Sequence, residues 1–301
     1  MTPQEYLQEI LKNQTLLENS DELKALREER KKVEELLSVS FQKSNPTIRY
    51  GGSMAKGTMI RENYDLDIIC YFNNGDDLAG KTLEEIYNNV KKILETKYRV
   101  VTKTSALRLE NKDPKQFGVY FHIDVTPGRY TDDKKNDAFL YQNSGKEKRL
   151  KTNLQIHIDL VKDSGLIDTI KLTKLWKIRN GLAIKTFALE LLVIEALKKM
   201  NDAKGVDVCL KKLWEQLGGN IDNIKIEDPA NPTGNDLSEL FNSTTKSALS
   251  SSAQRALASI EKEDWVNIFG EVDSGDKASK IQAINVISRS SNSPKPWNSR
   301  A

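Results

Sequence analysis

The segment Tyr64–Phe72 reads YDLDIICYF and alternates between polar and apolar residues at its start. Because successive side chains of a strand point to opposite faces, the pattern predicts a strand with Asp65 and Asp67 on one face. The opposite face carries Leu66, Ile68, Cys70 and Phe72. That apolar face is expected to pack on helices, which leaves the face with the two carboxylates available for chemistry.

A second strand is predicted at Gly118–Thr126, and its HIDVTP motif carries a third acid, Asp124. We expect Asp65, Asp67 and Asp124 to meet on one sheet surface. Neighbouring carboxylates raise one another's pKa, a cost that divalent cations remove. Mg²⁺ prefers such hard oxygen ligands, and two ions ~3.5–4 Å apart stabilise the attacking and leaving oxygens of a phosphoryl transfer. The pattern therefore predicts a two-metal catalytic site in which Asp124 is also a candidate base.

A glycine-serine turn, Gly51-Gly52-Ser53, precedes the acidic strand and is expected to open a helix over Ser53–Arg61. Glycines allow backbone N–H groups to approach phosphates closely, and a serine hydroxyl adds a donor. Lys56 and Thr58 follow in the next turn as candidate triphosphate contacts. Alone, this motif is an ordinary turn and Asp-x-Asp an ordinary solvated strand end. Their combination with Asp124 favours a nucleotide site.

Apolar periodicity predicts an α+β chain with a small mixed sheet and a helical second half. The predicted helices are Glu18–Val39, Thr82–Lys97, Leu166–Asn180, Thr186–Met200, Val206–Leu217 and Ser250–Phe269. Further strands are predicted running into Tyr50 and over Arg99–Glu110. We divide the chain into a catalytic core with an N-terminal helix (1–151), a helical domain (152–287) and a polar tail (288–301).

The composition excludes several functional classes. No apolar run among the 301 residues approaches the ~18–20 that a membrane span needs, and the N-terminus does not resemble a secretory signal, so we expect a cytoplasmic protein. Two cysteines and two histidines are too few for a disulfide framework or a Cys/His zinc site, and Cys70 is expected to be a core thiol. A net charge of only +3 argues against strong binding of long nucleic acids.

Two motifs together resemble a known group of enzymes. GGSMAKGTMIRENYDLDIICYF followed by FHIDVTPG is similar to the signature of 2′-5′-oligoadenylate synthetases, cyclic GMP-AMP synthase and the bacterial CD-NTases, within the polymerase-beta-like superfamily. The resemblance continues in IKLTKLWK, which places Lys171 and Lys174 at triphosphate-binding positions. KTFALELLVIEAL places Thr186 and Phe187 at the nucleobase, and EDPANPTGND resembles a segment that lines the cleft.

The resemblance implies a polymerase-beta-like nucleotidyltransferase core and a C-terminal helical domain with the active site in the cleft between them. It also implies two Mg²⁺ ions, which Mn²⁺ can replace, and nucleoside triphosphates as donor and acceptor. The chain lacks the zinc-binding insertion of animal cyclic GMP-AMP synthase. Its size, N-terminal helix and near-neutral charge look most like the bacterial CD-NTases, which make cyclic di- or trinucleotide messengers in antiphage signalling. Regulatory or effector proteins are then expected partners.

Alternatives remain for several residues and for the activity. Lys171 and Lys174 are either phosphate ligands or solvated lysines, and Phe187 is either a base-stacking or a core residue. Asn153 either reads a base edge through its amide or caps a helix. The alternative activity is linear nucleotidyl transfer to oligoadenylate, RNA, tRNA or protein. A non-catalytic nucleotide-binding scaffold is disfavoured because all three acids are present.

Overall fold

The computed structural model describes residues 1–17, 19–110, 123–144, 147–231, 235 and 237–272. The α-helices in these ranges are α1 (Pro3–Gln14), α2 (Asp21–Ser40), α3 (Gly52–Lys56), α4 (Leu83–Glu95), α5 (Leu154–Asp163), α6 (Ile167–Arg179), α7 (Thr186–Ala196), α8 (Val206–Gly219), α9 (Ser243–Ile260) and α10 (Val266–Phe269). The strands are β1 (Thr47–Tyr50), β2 (Leu66–Phe72), β3 (Arg99–Thr102), β4 (Leu107–Glu110), β5 (Ile123–Tyr130), β6 (Ala138–Tyr141) and β7 (Arg149–Thr152). None of the described helices is both long and apolar enough to span a membrane.

The strands form one mixed sheet in the order β1-β2-β5-β4-β3, and β6 joins β5 to β7. Strands β2 and β5 run parallel, whereas the other neighbouring pairs are antiparallel. The register pairs Asp67 with Asp124 and, on the next strand, Arg108 with Asp124. Residues paired across strands project from the same face. The sheet therefore places both acids and one arginine in a row on a single face.

The opposite face of β2 forms a core with α2 and α4. Its side chains, Leu66, Ile68, Cys70 and Phe72, are at most 1% exposed. Burial of each large apolar side chain contributes about 1.5–3 kcal/mol to folding. These contacts confirm the predicted alternation and the buried position of the Cys70 thiol. A slip of one residue in register would bury the carboxylates, so this core fixes which face carries them.

The second half of the chain is helical and has its own core around Trp176 of α6 and Trp214 of α8. The ring centroids of these two tryptophans lie 5.9 Å apart. Helix α1 also belongs to this core, because Leu7 and Ile10 are buried against it. The sequence did not predict α1. Its capping box at Thr2 and Glu5, with proline at the first helical position, is the signal that was available.

Several boundaries differ from the predictions. The helix predicted at Ser53–Arg61 ends at Lys56, because Gly57 adopts a left-handed conformation (φ +75°). The segment Arg99–Glu110 is a hairpin of two strands, and Ser250–Phe269 is divided between α9 and α10. Strands β6 and β7 were not predicted, and helix α5 was anticipated only by the capping alternative for Asn153. The polar tail, Glu18 and the part of Gly118–Thr126 before residue 123 lie outside the described residues.

Candidate active site

The three predicted acids converge on one face of the sheet. Asp67 on β2 lies directly across from Asp124 on β5, and Asp65 comes just before β2 begins. One nitrogen of Arg108, Nη2, contacts both Asp124 Oδ2 (2.8 Å) and Asp65 Oδ2 (3.3 Å). The carboxylates are thus close enough to share a single guanidinium group. Their common location agrees with the sequence analysis, and their catalytic role stays a prediction.

Two cations that the sequence analysis missed neutralise Asp124. Arg108 makes a bidentate contact, with Nε 2.8 Å from Oδ1 and Nη2 2.8 Å from Oδ2, and Lys103 Nζ lies 2.9 Å from Oδ2. Bidentate arginine–carboxylate pairs are among the stronger charge-assisted contacts. The available signal was Arg108 between the apolar Leu107 and Leu109, which places its side chain on the polar face of β4.

Among the three aspartates, Asp67 has a pKa that is strongly raised by its surroundings. Burial, followed by repulsion from Asp124 and Asp65, raises the pKa of Asp67 to about 7. Oxygen ligands of this type suit Mg²⁺, whose charge would relieve the repulsion. Among the described residues, however, no three His, Cys, Asp or Glu side chains are arranged closely enough to hold one metal ion, although Asp65, Asp67 and Asp124 share a face of the sheet. The three carboxylates suit Mg²⁺ in their chemistry and lie on the same face of the sheet. In this structure, however, Asp65 and Asp124 bind the guanidinium group of Arg108.

The raised pKa of Asp67 gives a pH prediction. Metal binding requires the ionised carboxylate, so the affinity for Mn²⁺ should increase as pH rises through about 7. From pH 6 to 7.5 the ionised fraction of a group with this pKa grows roughly eightfold, and we expect a similar gain in affinity. Calorimetry in buffers of different ionisation enthalpy would measure both the affinity and the proton release. An affinity that stays constant over this interval would contradict the assignment.

The glycine turn lies directly against Asp67. The Gly51 amide donates a 2.8 Å hydrogen bond to the Asp67 carbonyl oxygen. Gly52 has φ +51°, and a Cβ atom added to it would lie 1.6 Å from Asp67 Oδ2. Only glycine can occupy this position, because any side chain would collide with the carboxylate. Gly52 and Ser53 both line the adjoining cavity, and their contact with phosphate stays a prediction.

A cavity of about 330 Å³ lies between the acidic face of the sheet and the helical half. The sheet contributes Asp65, Asp67, Ile69 and Tyr71. The helices contribute His157, Lys174, Thr186, Phe187 and Glu190. One wall therefore offers carboxylates and the other offers a buried cation and aromatic rings. This combination suits a metal–triphosphate group with an attached base.

A buried network joins the glycine turn to the helical half. Glu190 on α7 accepts contacts from Lys56 Nζ (2.7 Å) and the Thr58 hydroxyl (2.9 Å). Lys174 Nζ donates a 2.6 Å hydrogen bond to the Thr58 carbonyl oxygen. Burial lowers the pKa of Lys174 to about 8. Sequence reasoning missed Glu190, although an acid within the apolar run ALELLVI was a signal for a paired, buried carboxylate.

Three predicted nucleotide contacts are placed elsewhere. Thr58 is 0% exposed and does not line the cavity. Its hydroxyl donates to Glu190, the carboxylate that also binds Lys56. Lys171 is also absent from the lining residues, and its Nζ lies 3.9 Å from Asp168. Asn153 caps α5 by accepting from the Ile156 amide, while its Nδ2 donates to Asp137. Its amide is thus committed to the fold, as the capping alternative described.

The remaining predicted contacts do line the cavity. Lys56, Lys174, Thr186 and Phe187 belong to its wall, and Thr186 Oγ1 also accepts from Lys177 Nζ (3.2 Å). The segment Glu227–Asp236 approaches through Asp228, which contacts His157 on α5. Asn235 donates to Asp228 and to the Lys151 carbonyl oxygen, so it supports the loop. Residues 232–234 and 236 lie outside the described residues.

Comparison with known proteins agrees with this geometry. Residues 26–123 match the family model described as the nucleotidyltransferase domain. A comparison with the sequences of curated proteins gives no significant match. The domain match supports the prediction that the chain is a nucleotidyltransferase enzyme, since it covers the glycine turn, Asp65 and Asp67.

Solved structures extend the similarity over most of the chain. The E. coli MS115-1 CdnC chain, in a complex with HORMA-deltaN, is 19% identical with a TM-score of 0.68, over 90% of this chain and 98% of that chain. The CD-NTase CdnG of Bradyrhizobium diazoefficiens, in complex with GTP, is 15% identical with a TM-score of 0.68. This match covers 94% of this chain and 98% of that chain. The Vibrio cholerae cyclic AMP-GMP synthase DncV is 15% identical with a TM-score of 0.67 (91% and 98%).

The chain therefore has a nucleotidyltransferase domain within the fold shared by the CD-NTases. This result confirms the predicted fold class, a nucleotidyltransferase core with a small mixed sheet followed by a helical region.

Proposed function

We propose that the chain joins nucleoside triphosphates into a cyclic di- or trinucleotide and releases pyrophosphate. One observation carries this proposal: the carboxylates of Asp65 and Asp67 face the same cavity as Lys56, Lys174 and Phe187. A nucleotide in that cavity would have its phosphates near the acidic cluster and its base near an aromatic ring. Nucleotidyl transfer depends mainly on such positioning and on charge stabilisation.

Asp65, Asp67 and Asp124 would hold the metal ions. When bound, two Mg²⁺ or Mn²⁺ ions would stabilise charge on the attacking and leaving oxygens of the transfer. Asp124, across from Asp67 in the sheet, would orient the acceptor ribose hydroxyl and take its proton. Arg108 and Lys103 add positive charge beside the reacting phosphate.

The triphosphate of the donor nucleotide is assigned to Ser53, Lys56 and Lys174. Lys174 approaches this position from α6 and Lys56 from α3, and both lie within the cavity wall. Glu190 holds Lys56 in place, so the lysine is oriented before a nucleotide binds. Phe187 then packs on the nucleobase.

A ring product requires two successive transfers in one cavity. The similarity to DncV supports this sequence, because DncV was solved with the linear intermediate 5′ pppA(3′,5′)pG. The CdnC structure with HORMA-deltaN supports a regulatory protein partner for this chain. A role in antiphage signalling in the cytoplasm is the biological setting we propose from the same resemblance.

Product analysis tests the proposal directly. We expect the protein, incubated with four labelled NTPs and Mn²⁺ or Mg²⁺, to yield a product that resists phosphatase, since a ring has no terminal phosphate. Mass spectrometry identifies the ring size and the bases. A product that phosphatase strips completely would favour the linear alternative, and the absence of any product under all metal conditions would favour a binding scaffold.

A further inference from the structure

His157 on α5 has a position in the cavity that the mechanism above does not use. Its ring lies against that of Phe187, with centroids 4.9 Å apart and planes inclined by 45°. Both residues line the cavity that also contains Asp65 and Asp67. A base that packs on Phe187 would therefore lie within reach of the imidazole.

A buried carboxylate determines which nitrogen of this imidazole carries a proton. His157 Nε2 lies 2.7 Å from Asp228 Oδ1, and Asp228 is 4% exposed. Asp228 also accepts from the Ala230 amide (2.9 Å) and from Asn235 Nδ2 (2.5 Å). Burial acts to raise the pKa of Asp228, but the hydrogen bonds from His157 and Asn235 outweigh it and lower the pKa overall. The carboxylate is ionised and accepts only, so Nε2 must carry a proton.

In the neutral imidazole the other ring nitrogen, Nδ1, is then a hydrogen-bond acceptor. Within the described parts of the chain, His157 has ring contacts with Asp228 and Phe187 and none that engages Nδ1 in a hydrogen bond. In this state, Nδ1 of His157 is an acceptor beside the Phe187 ring, where it can recognise the edge of a nucleobase by hydrogen bonding. Nδ1 can accept a hydrogen bond from an exocyclic amino group of the base. A carbonyl oxygen at the same position cannot donate a hydrogen bond and would be repelled by the lone pair of Nδ1.

We propose that His157 selects the nucleobase in this cavity by accepting a hydrogen bond at Nδ1 from an exocyclic amino group, as on adenine. Asp228 is the positioning residue that maintains the tautomer. This inference rests on the proposed function because it assigns the base specificity of the same cavity. It predicts that a 6-amino purine binds better than a 6-oxo purine of the same shape.

Binding measurements with paired analogues test the selection without turnover. The α,β-methylene forms of ATP and ITP share their sugar and phosphates but present an amino group or an oxygen at purine position 6. A hydrogen bond of about 1–3 kcal/mol, including the cost of an unsatisfied partner, corresponds to roughly 5- to 150-fold tighter binding of the adenosine analogue. In His157→Phe, which keeps a ring beside Phe187, the ratio should fall to within about twofold.

The matched control is Lys162→Ala, an exposed change on the same helix outside the cavity lining, which should keep the ratio of the unmodified protein. The inference is overturned if the unmodified protein does not distinguish the analogues, or if His157→Phe keeps the discrimination. If nucleotide products form while the ratio is insensitive to His157, this inference alone fails. If selective binding is found without any product, the proposed function alone fails.

A second measurement needs no change at the site. The chain contains two histidines, so ¹⁵N-histidine NMR gives few resonances, and His122→Gln assigns them. We expect the unprotonated nitrogen of His157 to be Nδ1, and its resonance to shift when the adenosine analogue is added but not with the inosine analogue. A proton on Nδ1 in the free protein, or equal shifts with both analogues, would overturn the proposal.

Discussion

Changing Asp65 and Asp67 to asparagine together is expected to abolish nucleotidyl transfer while the fold is retained. The double change removes two of the three carboxylates that would hold the metal ions, which supply several kcal/mol of transition-state stabilisation. Each 1.36 kcal/mol is a factor of ten in rate, so we expect a loss of about 10³-fold or more. Product formation from labelled NTPs measures the loss.

The same double change has an expected effect on stability that serves as its internal check. The pKa of Asp67 is raised in the folded protein, so ionisation of this group destabilises the metal-free fold as pH rises through about 7. The uncharged amides should therefore leave the melting temperature at pH 8 unchanged or higher. Asp133→Asn, an exposed acid-to-amide change, is the matched control and should retain full activity. Full activity of the double variant would end the metal-site assignment.

Changing Lys174 to methionine is expected to weaken triphosphate binding, whereas the same change at Lys171 should have little effect. Lys174 is 1% exposed, lines the cavity and bonds the Thr58 carbonyl oxygen. Lys171, one turn earlier on α6, is outside the cavity lining and lies near Asp168. Loss of a charge-assisted hydrogen bond of about 1.5–3 kcal/mol corresponds to roughly 10- to 150-fold weaker binding.

Calorimetry with α,β-methylene ATP compares the two variants directly. The sequence resemblance assigns both lysines to phosphate binding, whereas the structure places only Lys174 in the cavity wall. The two variants therefore distinguish between these two assignments. Equal losses in both variants would show that α6 presents Lys171 to the nucleotide as well. No loss in Lys174→Met would show that the phosphates lie elsewhere in the cavity.

The acidic face of the sheet could be predicted because a strand has a strict two-residue period. The four apolar residues of β2 must face the core, and Asp67 must then face the other way. The glycine turn was predictable from the motif Gly51-Gly52-Ser53 itself, and the structure shows that a Cβ atom on Gly52 would collide with the Asp67 carboxylate. Both features are local consequences of sequence spacing.

The residues that sequence reasoning missed depend on contacts between distant parts of the chain. Glu190 meets Lys56 across 134 positions, and His157 meets Asp228 across 71. No periodicity links such partners, and each residue alone is compatible with an ordinary helix. Lys171 and Lys174 belong to one sequence motif, so the sequence alone does not distinguish their roles. The packing of α6 near Thr58 places Lys174, and not Lys171, in the cavity wall. Strands β6 and β7 are four residues each, too short for a clear alternation.

The packing of α1 into the helical core has a consequence for how the molecule assembles. Helix α1 is the first described element of the chain, yet it contacts α6 and α8, which follow it by more than 150 residues. During synthesis, the surfaces of α6 and α8 against which α1 packs are absent until the ribosome has produced those later helices. Closing such a long loop is entropically costly and slows folding. The mixed sheet, whose contacts are more local, is therefore expected to form first, and the packing of α1 is expected to complete the second core afterwards.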